Sequence, residues 1–240
     1  MHIYPGTSGY SYKEWRGVFY PDKLPVGDML EYYASQLPAG EINNTFYRVP
    51  KSGVLETWAA QTPETFRFVL KGTRRITHLK RLKDAGEETD HFFRIAGVLG
   101  PRLGGVLLQL PPFLRCDLVR LRDYLALLPS GVPVAMEFRH ESWFEDAVYD
   151  LLKSHNVALC INDTDADQTV QIVPTANWGY MRLRASHYSG DRLRTWRQRI
   201  AAQPWDTAFV FFKHEDEGAG PRLAAQFLAP AEGKDERSSG

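Results

Sequence analysis

The chain has 240 residues, 43% hydrophobic and 24% charged, with 29 basic and 29 acidic side chains. This is the composition of a globular fold and not of a disordered one, and the zero net charge argues neither for nor against nucleic acid, leaving that question to local patches. No apolar run approaches the roughly 20 residues of a membrane-spanning helix, Cys116 and Cys160 sit in no CxxC or metal-like spacing, and MHIYPGTSGY lacks the basic and apolar regions of a signal peptide, so the expectation is a cytoplasmic protein with no membrane partner.

Short apolar, β-branched or aromatic runs recur along the whole chain. In order they are 2–6, 41–43, 66–71, 106–110, 134–138, 158–162, 180–184 and 208–212. Helical stripes fall between them: Val54, Leu55 and Trp58 after Ser52; Leu118, Leu121, Leu125 and Leu128 after Asp117; Val148, Leu151 and Leu152; Leu193, Trp196 and Ile200; and Leu223, Phe227 and Leu228. Alternation of strand and helix predicts a parallel sheet with right-handed crossovers. Eight strand signals in a chain near the typical ~250 residues predict an α/β fold, a closed (β/α)8 TIM-type barrel, as a single domain over 1–231. The alternative, an open doubly wound sheet, is weakened by the lack of GxGxxG after the first strand. The polar tail 232–240 is expected to be disordered.

Alternation along the fifth run places Ala135, Glu137 and Arg139 inside the barrel and Val134, Met136 and Phe138 against the helices. Ser142 and Glu145 have capping-box spacing, which predicts a helix starting near Trp143. The charged end of this strand then lies on the face where barrel enzymes build their sites. The same test on the other strands brings Glu41, Asn43, Lys71, Gln109, Asn162, Asp163, Arg182, Arg184 and Lys213 to that end.

Cations outnumber Glu41 and Glu137 in this set, which predicts a small anionic ligand, a phosphate or a carboxylate, since arginine presents a fork suited to either. Glu137, Glu41 and Asp163 are the candidate catalytic groups, as acid–base residues on either side of a substrate. Asn43, Lys71, Gln109, Arg139, His140, Asn162, Arg182, Arg184, Lys213, Trp143 and Tyr47 are the candidate substrate-binding residues. Most of the aromatic side chains of the first loop, Tyr10, Tyr12, Trp15, Phe19 and Tyr20, are expected to pack that loop over the barrel.

Sequence motifs exclude several chemistries. There is no Walker A sequence, and GTSGY is not a GxSxG elbow. HESWF and HEDEG begin like HExxH, but Phe144 and Gly218 stand where the second histidine belongs. No cofactor is predicted. A divalent metal held by Glu137, His140, Asp163 and His214 would need mixed oxygen and nitrogen ligation at the barrel mouth.

Three functions follow. The first is acid–base hydrolysis or isomerisation of a small anion, with Arg139, Arg182 and Lys71 holding it and Glu137 handling the proton. The second is a metal-dependent phosphoesterase or nuclease-like barrel. The third is a non-catalytic module binding an anion, or binding nucleic acid through Arg74, Arg75, Lys80 and Arg81, whose segment Lys71 to Lys83 holds six lysines and arginines and no acidic residue.

The segments GTSGYSYKEWRGVFYP (6–21), EINNTFYRVP (41–50), FRFVLKGTRRITH (66–78), LGGVLLQLPPF (103–113) and EFRHESW (137–143) together resemble the YecE-like proteins, domain-of-unknown-function family seventy-two. The resemblance implies a TIM-barrel fold and no particular activity. It covers the first three fifths of the chain. The last third departs from the family pattern: YMRLRASHYSG stands where many relatives read Tyr-x-Arg-x-His-Gly, and VFFKHEDEGAG where an Asn-Asn pair often follows the last strand. Carry-over therefore reaches Glu41, Asn43, Lys71, Gln109, Glu137 and Arg139.

Overall fold

The computed structural model describes residues 1–165, 170–213 and 218–229. Eight parallel strands, β1 (His2–Ser8), β2 (Ala39–Ile42), β3 (Arg67–Lys71), β4 (Leu103–Gln109), β5 (Val134–Glu137), β6 (Ala158–Asp163), β7 (Trp178–Leu183) and β8 (Thr207–Phe212), pair in sequence order. The barrel closes where β8 pairs with β1, Gly6 facing Phe211. Around it lie α1 (Met29–Gln36), α2 (Ser52–Ala60), α3 (Gly86–Ala96), α4 (Leu118–Leu125), α5 (Asp146–Ser154), α6 (Gly190–Ala201) and α7 (Ala219–Leu228). The β6–β7 connection carries no helix among its described residues. The predicted tail 232–240 lies outside the described residues.

Strand alternation divides the core in two. Ala39, Val69, Leu107, Ala135, Ala158, Cys160, Trp178, Tyr180, Phe209 and Phe211 fill the lumen. The outward residues Val106, Leu108, Val134, Met136, Phe138, Met181 and Val210 join the helix stripes in a second cluster. Each strand is thus buried on both faces, as an all-parallel sheet requires. Gly6 shows how tight the strand contacts are: a Cβ there would lie 2.0 Å from the Ala39 carbonyl oxygen.

β2 starts two residues before its predicted position. Its first residues, Ala39 and Gly40, carry no strand signal, but the Tyr33 and Phe66 rings lie against Gly40 at 3.2 and 3.4 Å from where a Cβ would stand. Packing, not propensity, makes this strand.

The predicted helix start near Trp143 is corrected. Residues Glu141–Trp143 form one 3-10 turn, Phe144 has a non-helical ψ of 72°, and α5 begins at Asp146. The Trp143 ring is what interrupts the helix. It stacks on Phe138 at 4.6 Å and 3°, and its Nε1 donates to the Leu114 carbonyl at 2.7 Å. Ser142 caps no α-helix; its hydroxyl accepts the Cys116 amide at 2.8 Å, tying the β4–α4 loop to the β5–α5 loop.

The first-loop aromatics pack over the barrel as expected. Trp15 and Tyr20 are buried, and Phe19 meets Trp15, Tyr20, Tyr32 and Tyr33 edge-on.

Candidate functional site

At the carboxyl end of the strands, the inward-facing positions carry charge instead of hydrocarbon. Glu41 is the penultimate residue of β2, Glu137 ends β5 and Arg182 lies in β7, and all three are buried. Arg182 Nη1 donates to Glu137 Oε2 at 2.7 Å, and Nη2 donates to Glu41 Oε1 at 2.8 Å. Arg139 Nε donates to the other Glu137 oxygen at 2.6 Å, and Arg184 Nη2 lies 3.7 Å from that same atom. Ser8 and Tyr180 complete the shell of Glu41, donating their hydroxyls at 2.8 and 2.5 Å. The result is a row, Ser8/Tyr180–Glu41–Arg182–Glu137–Arg139, strung across the top of the lumen.

Each shift in proton affinity has a physical cause here. Burial would raise the Glu41 carboxyl, but the Arg182 charge and the bonds from Tyr180, Ser8 and Arg182 outweigh it and hold Glu41 below its usual value. Burial works against the Arg182 charge, yet Glu41 and Glu137 push its pKa further up, so it stays ionised. The Tyr180 phenol and the Cys160 thiol are raised, by burial first and then by the nearby carboxylates, and remain neutral.

Lys71, the last residue of β3, is the odd member. It is half-buried, and no ion pair or hydrogen bond holds its ammonium among the described residues; Nζ sits 4.4 Å from the centre of the Phe46 ring. Burial lowers its pKa to about 8, and the charges of Arg182 and Arg139 also lower it, against Glu41 and Glu137, which raise it. His78 meets the same Phe46 ring edge-on at 4.9 Å, and burial, Lys71 and Arg74 lower its pKa in turn. His78 belongs to Arg75–Leu79, one turn of π-helix directly after β3. Such turns are rare and frequently stand at functional sites.

The structure therefore gathers Glu41, Lys71, Glu137, Arg139, Arg182 and Arg184 at one mouth. Asn162 joins them: it is half-buried, pairs in register with Arg182, and its Oδ1 is buried without a partner, as are Arg182 Nε and Arg184 Nε. Gln109 is half-buried opposite Glu137, and Asn43 is half-buried just after β2.

Other predicted site residues stand elsewhere. Asp163 faces outward, one position on from Asn162. Its carboxylate accepts from Tyr188 Oη, Trp196 Nε1, Arg192 Nη2 and the Arg184 amide, fixing α6 and the β7–α6 loop to β6. These bonds make it a structural anchor, turned away from the mouth where Glu41 and Glu137 stand. Trp143 is 1% exposed within the helix-side core and cannot stack on a ligand. Arg182 is 2% exposed, and its Nη1 and Nη2 each donate a hydrogen bond to a carboxylate. Lys213 is exposed after β8, and Tyr47 is 73% exposed on the rim. His140 is half-buried with Nδ1 turned to the Ser142 amide and hydroxyl, at 3.1 and 2.9 Å. The metal set does not converge: Glu137 and Asp163 lie on opposite sheet faces, and His214 is outside the described residues. Among the described residues no cluster of three or more His, Cys, Asp or Glu is placed to hold a metal. Of the basic segment, Arg74, Arg75 and Arg81 are exposed, while Lys80 pairs with Glu88 at 2.8 Å.

Sequence reasoning missed Ser8, Tyr180 and His78. Ser8 and Tyr180 were within reach of the alternation rule, because Tyr180 precedes Arg182 by two and Ser8 follows Gly6 by two. His78 carries no periodic signal.

Among curated proteins the chain is similar to the UPF0759 protein YunF of Bacillus subtilis, 30% identical over 158 residues, and to the UPF0759 protein YecE of Escherichia coli, 32% identical over 143 residues. These matches cover 62% and 59% of the chain and 54% and 50% of the relatives, so it spans about half the length of the curated relatives it matches. Among solved structures it is similar to a DUF72 family protein from Thermotoga maritima, with a TM-score of 0.79 at 24% identity over 95% of this chain and 98% of that one. A DUF72 family protein from Enterococcus faecalis gives 0.74 at 19% identity over 94% of each. Both show the same fold. The family described as "Protein of unknown function DUF72" matches residues 4–239, and the chain belongs to that family.

Proposed function

We propose that this protein is an enzyme that binds a small carboxylate or phosphate at the carboxyl end of its barrel and catalyses hydrolysis or isomerisation by acid–base chemistry. The observation that carries the reading is the excess of cation: Lys71, Arg139, Arg182 and Arg184 against Glu41 and Glu137, with Arg182 alone satisfying a bond to each carboxylate.

Arg184 and Arg139 are then the groups that hold the anion. Arg184 has a buried Nε without a partner and only a long contact to Glu137, and Arg139 is a third exposed with only its Nε engaged. A carboxylate or phosphate suits both, because guanidinium donors match its oxygens in pairs. Glu137, fixed by Arg182 and Arg139, orients the arginines. The proton-transfer role passes from Glu137 to Lys71, whose pKa of about 8 lets it give and take a proton near neutrality.

A turnover screen of carboxylic acids and phosphate esters with the wild-type protein and Lys71→Met tests this. Activity confined to anionic compounds and lost in Lys71→Met agrees with the reading. Turnover of neutral compounds, or full activity in Lys71→Met, contradicts it.

A further inference from the structure

We propose that Lys71 is a covalent site: its amine condenses with the carbonyl carbon of an aldehyde or ketone that carries an anionic group, forming an imine at the barrel mouth. This deepens the reading above and rests on it for the anion. Three placements support it. Lys71 projects from the end of β3 into the cluster of Glu41, Glu137, Arg139 and Arg182, it is half-buried, and no carboxylate pairs with it. The face of the Phe46 ring lies over its Nζ at 4.4 Å, a cation–π contact that holds the amine in place and shields it from water. A lysine kept as a solvated charge or a structural ion pair would look different, as Lys80 does on Glu88.

The chemistry balances without an added oxidant or reductant. The ammonium first loses its proton. The neutral amine adds to the carbonyl carbon, the carbon–oxygen π bond breaks, the nitrogen gives up one proton and the oxygen gains one to give a carbinolamine. That hydroxyl, protonated again, leaves as water while the nitrogen lone pair forms the C=N bond. His78, edge-on to the same Phe46 ring, is the nearby group suited to carry these protons. Lysines are activated for this step by desolvation and by neighbouring cations, and both act on Lys71. The charged and titratable groups acting on it are Arg182, Arg139, Glu41, Glu137 and His78. At about pH 7.5 a pKa near 8 gives about two hundredfold more neutral amine than an ordinary lysine has.

The test is reductive trapping. Glyoxylate, which joins an aldehyde to a carboxylate, is incubated with the full chain and cyanoborohydride at pH 7.5, and the carboxymethyl adduct is mapped by peptide mass spectrometry. Calorimetry with oxalate, which has the anion but no aldehyde, runs in parallel. The proposal expects Lys71 to be labelled at least about tenfold faster than any other lysine. It also expects oxalate to slow that labelling, and Lys71→Arg to lose it while still binding oxalate. If oxalate binds but glyoxylate labels lysines indiscriminately or leaves Lys71 untouched, the imine is overturned and the anion site stands. If neither compound binds, the anion site falls and the imine with it.

Discussion

Arg182 and Glu137, 45 residues apart in sequence, form a 2.7 Å hydrogen-bonded ion pair with both side chains almost wholly out of solvent. The second guanidinium nitrogen takes Glu41 at 2.8 Å, so one arginine bridges two buried carboxylates, one from β2 and one from β5. Charges can persist there only because each is paired and hydrogen-bonded. The arginine is therefore the internal frame of the mouth.

Removing that frame should be severe. Arg182→Met leaves Glu41 buried with no ion-pair partner and Glu137 with only Arg139 and the longer Arg184 contact, and the expected loss is about 3–5 kcal/mol, the usual cost of breaking a buried pair from one side. Arg182→Lys should also destabilise, since an ammonium cannot fork to both carboxylates. Urea denaturation measures both; a loss below about 1 kcal/mol for Arg182→Met would contradict the assignment.

Glu41 makes the acid limb of stability steeper. Its folded pKa lies below the unfolded value of about 4.3, so its contribution is complete above that value and is lost as pH falls through the lower folded one. In urea midpoints measured against pH, Glu41→Gln should flatten the decline below about pH 4.3. An unchanged acid limb would show that Glu41 is not held ionised.

Lys71 acts on the alkaline side, where its lowered pKa costs stability instead of adding it. Its folded pKa of about 8 is below the unfolded value of about 10.4, so between these the unfolded chain binds more protons and stability rises with pH. Lys71→Met should abolish that rise and be more stable than wild type at neutral pH. Parallel stability profiles for the two proteins across this window would contradict the depressed value.

Asp163 should behave as a clamp. Asp163→Asn keeps an acceptor for the Arg184 amide but removes the charge facing Arg192. It should destabilise by about 1–3 kcal/mol and leave oxalate affinity unchanged. Chemical denaturation and calorimetry separate the two effects, and lost affinity in a fully stable variant would return Asp163 to the site.

The barrel was legible because its signals repeat. All eight strand runs are real, and the split of Val134, Met136 and Phe138 from Ala135 and Glu137 follows from period-two alternation alone. The mouth was legible for the same reason, as polar residues ending several strands. Three things were not. The first residues of β2 are small and become a strand only because Tyr33 and Phe66 cover them. Asp163 reads as one more polar strand end, but a step of one residue turns it to the opposite face. Phe46, His78 and Lys71 meet through two loops and a π-helical turn, where no periodicity applies.

Calorimetric titration of oxalate into wild type and Arg184→Met tests whether the mouth holds a small anion on Arg184 and Arg139. The account predicts saturable binding to wild type and about tenfold or greater weakening in the variant, the scale of one charge-assisted hydrogen-bonded contact. Equal affinity in both proteins, or no binding to wild type, would contradict it.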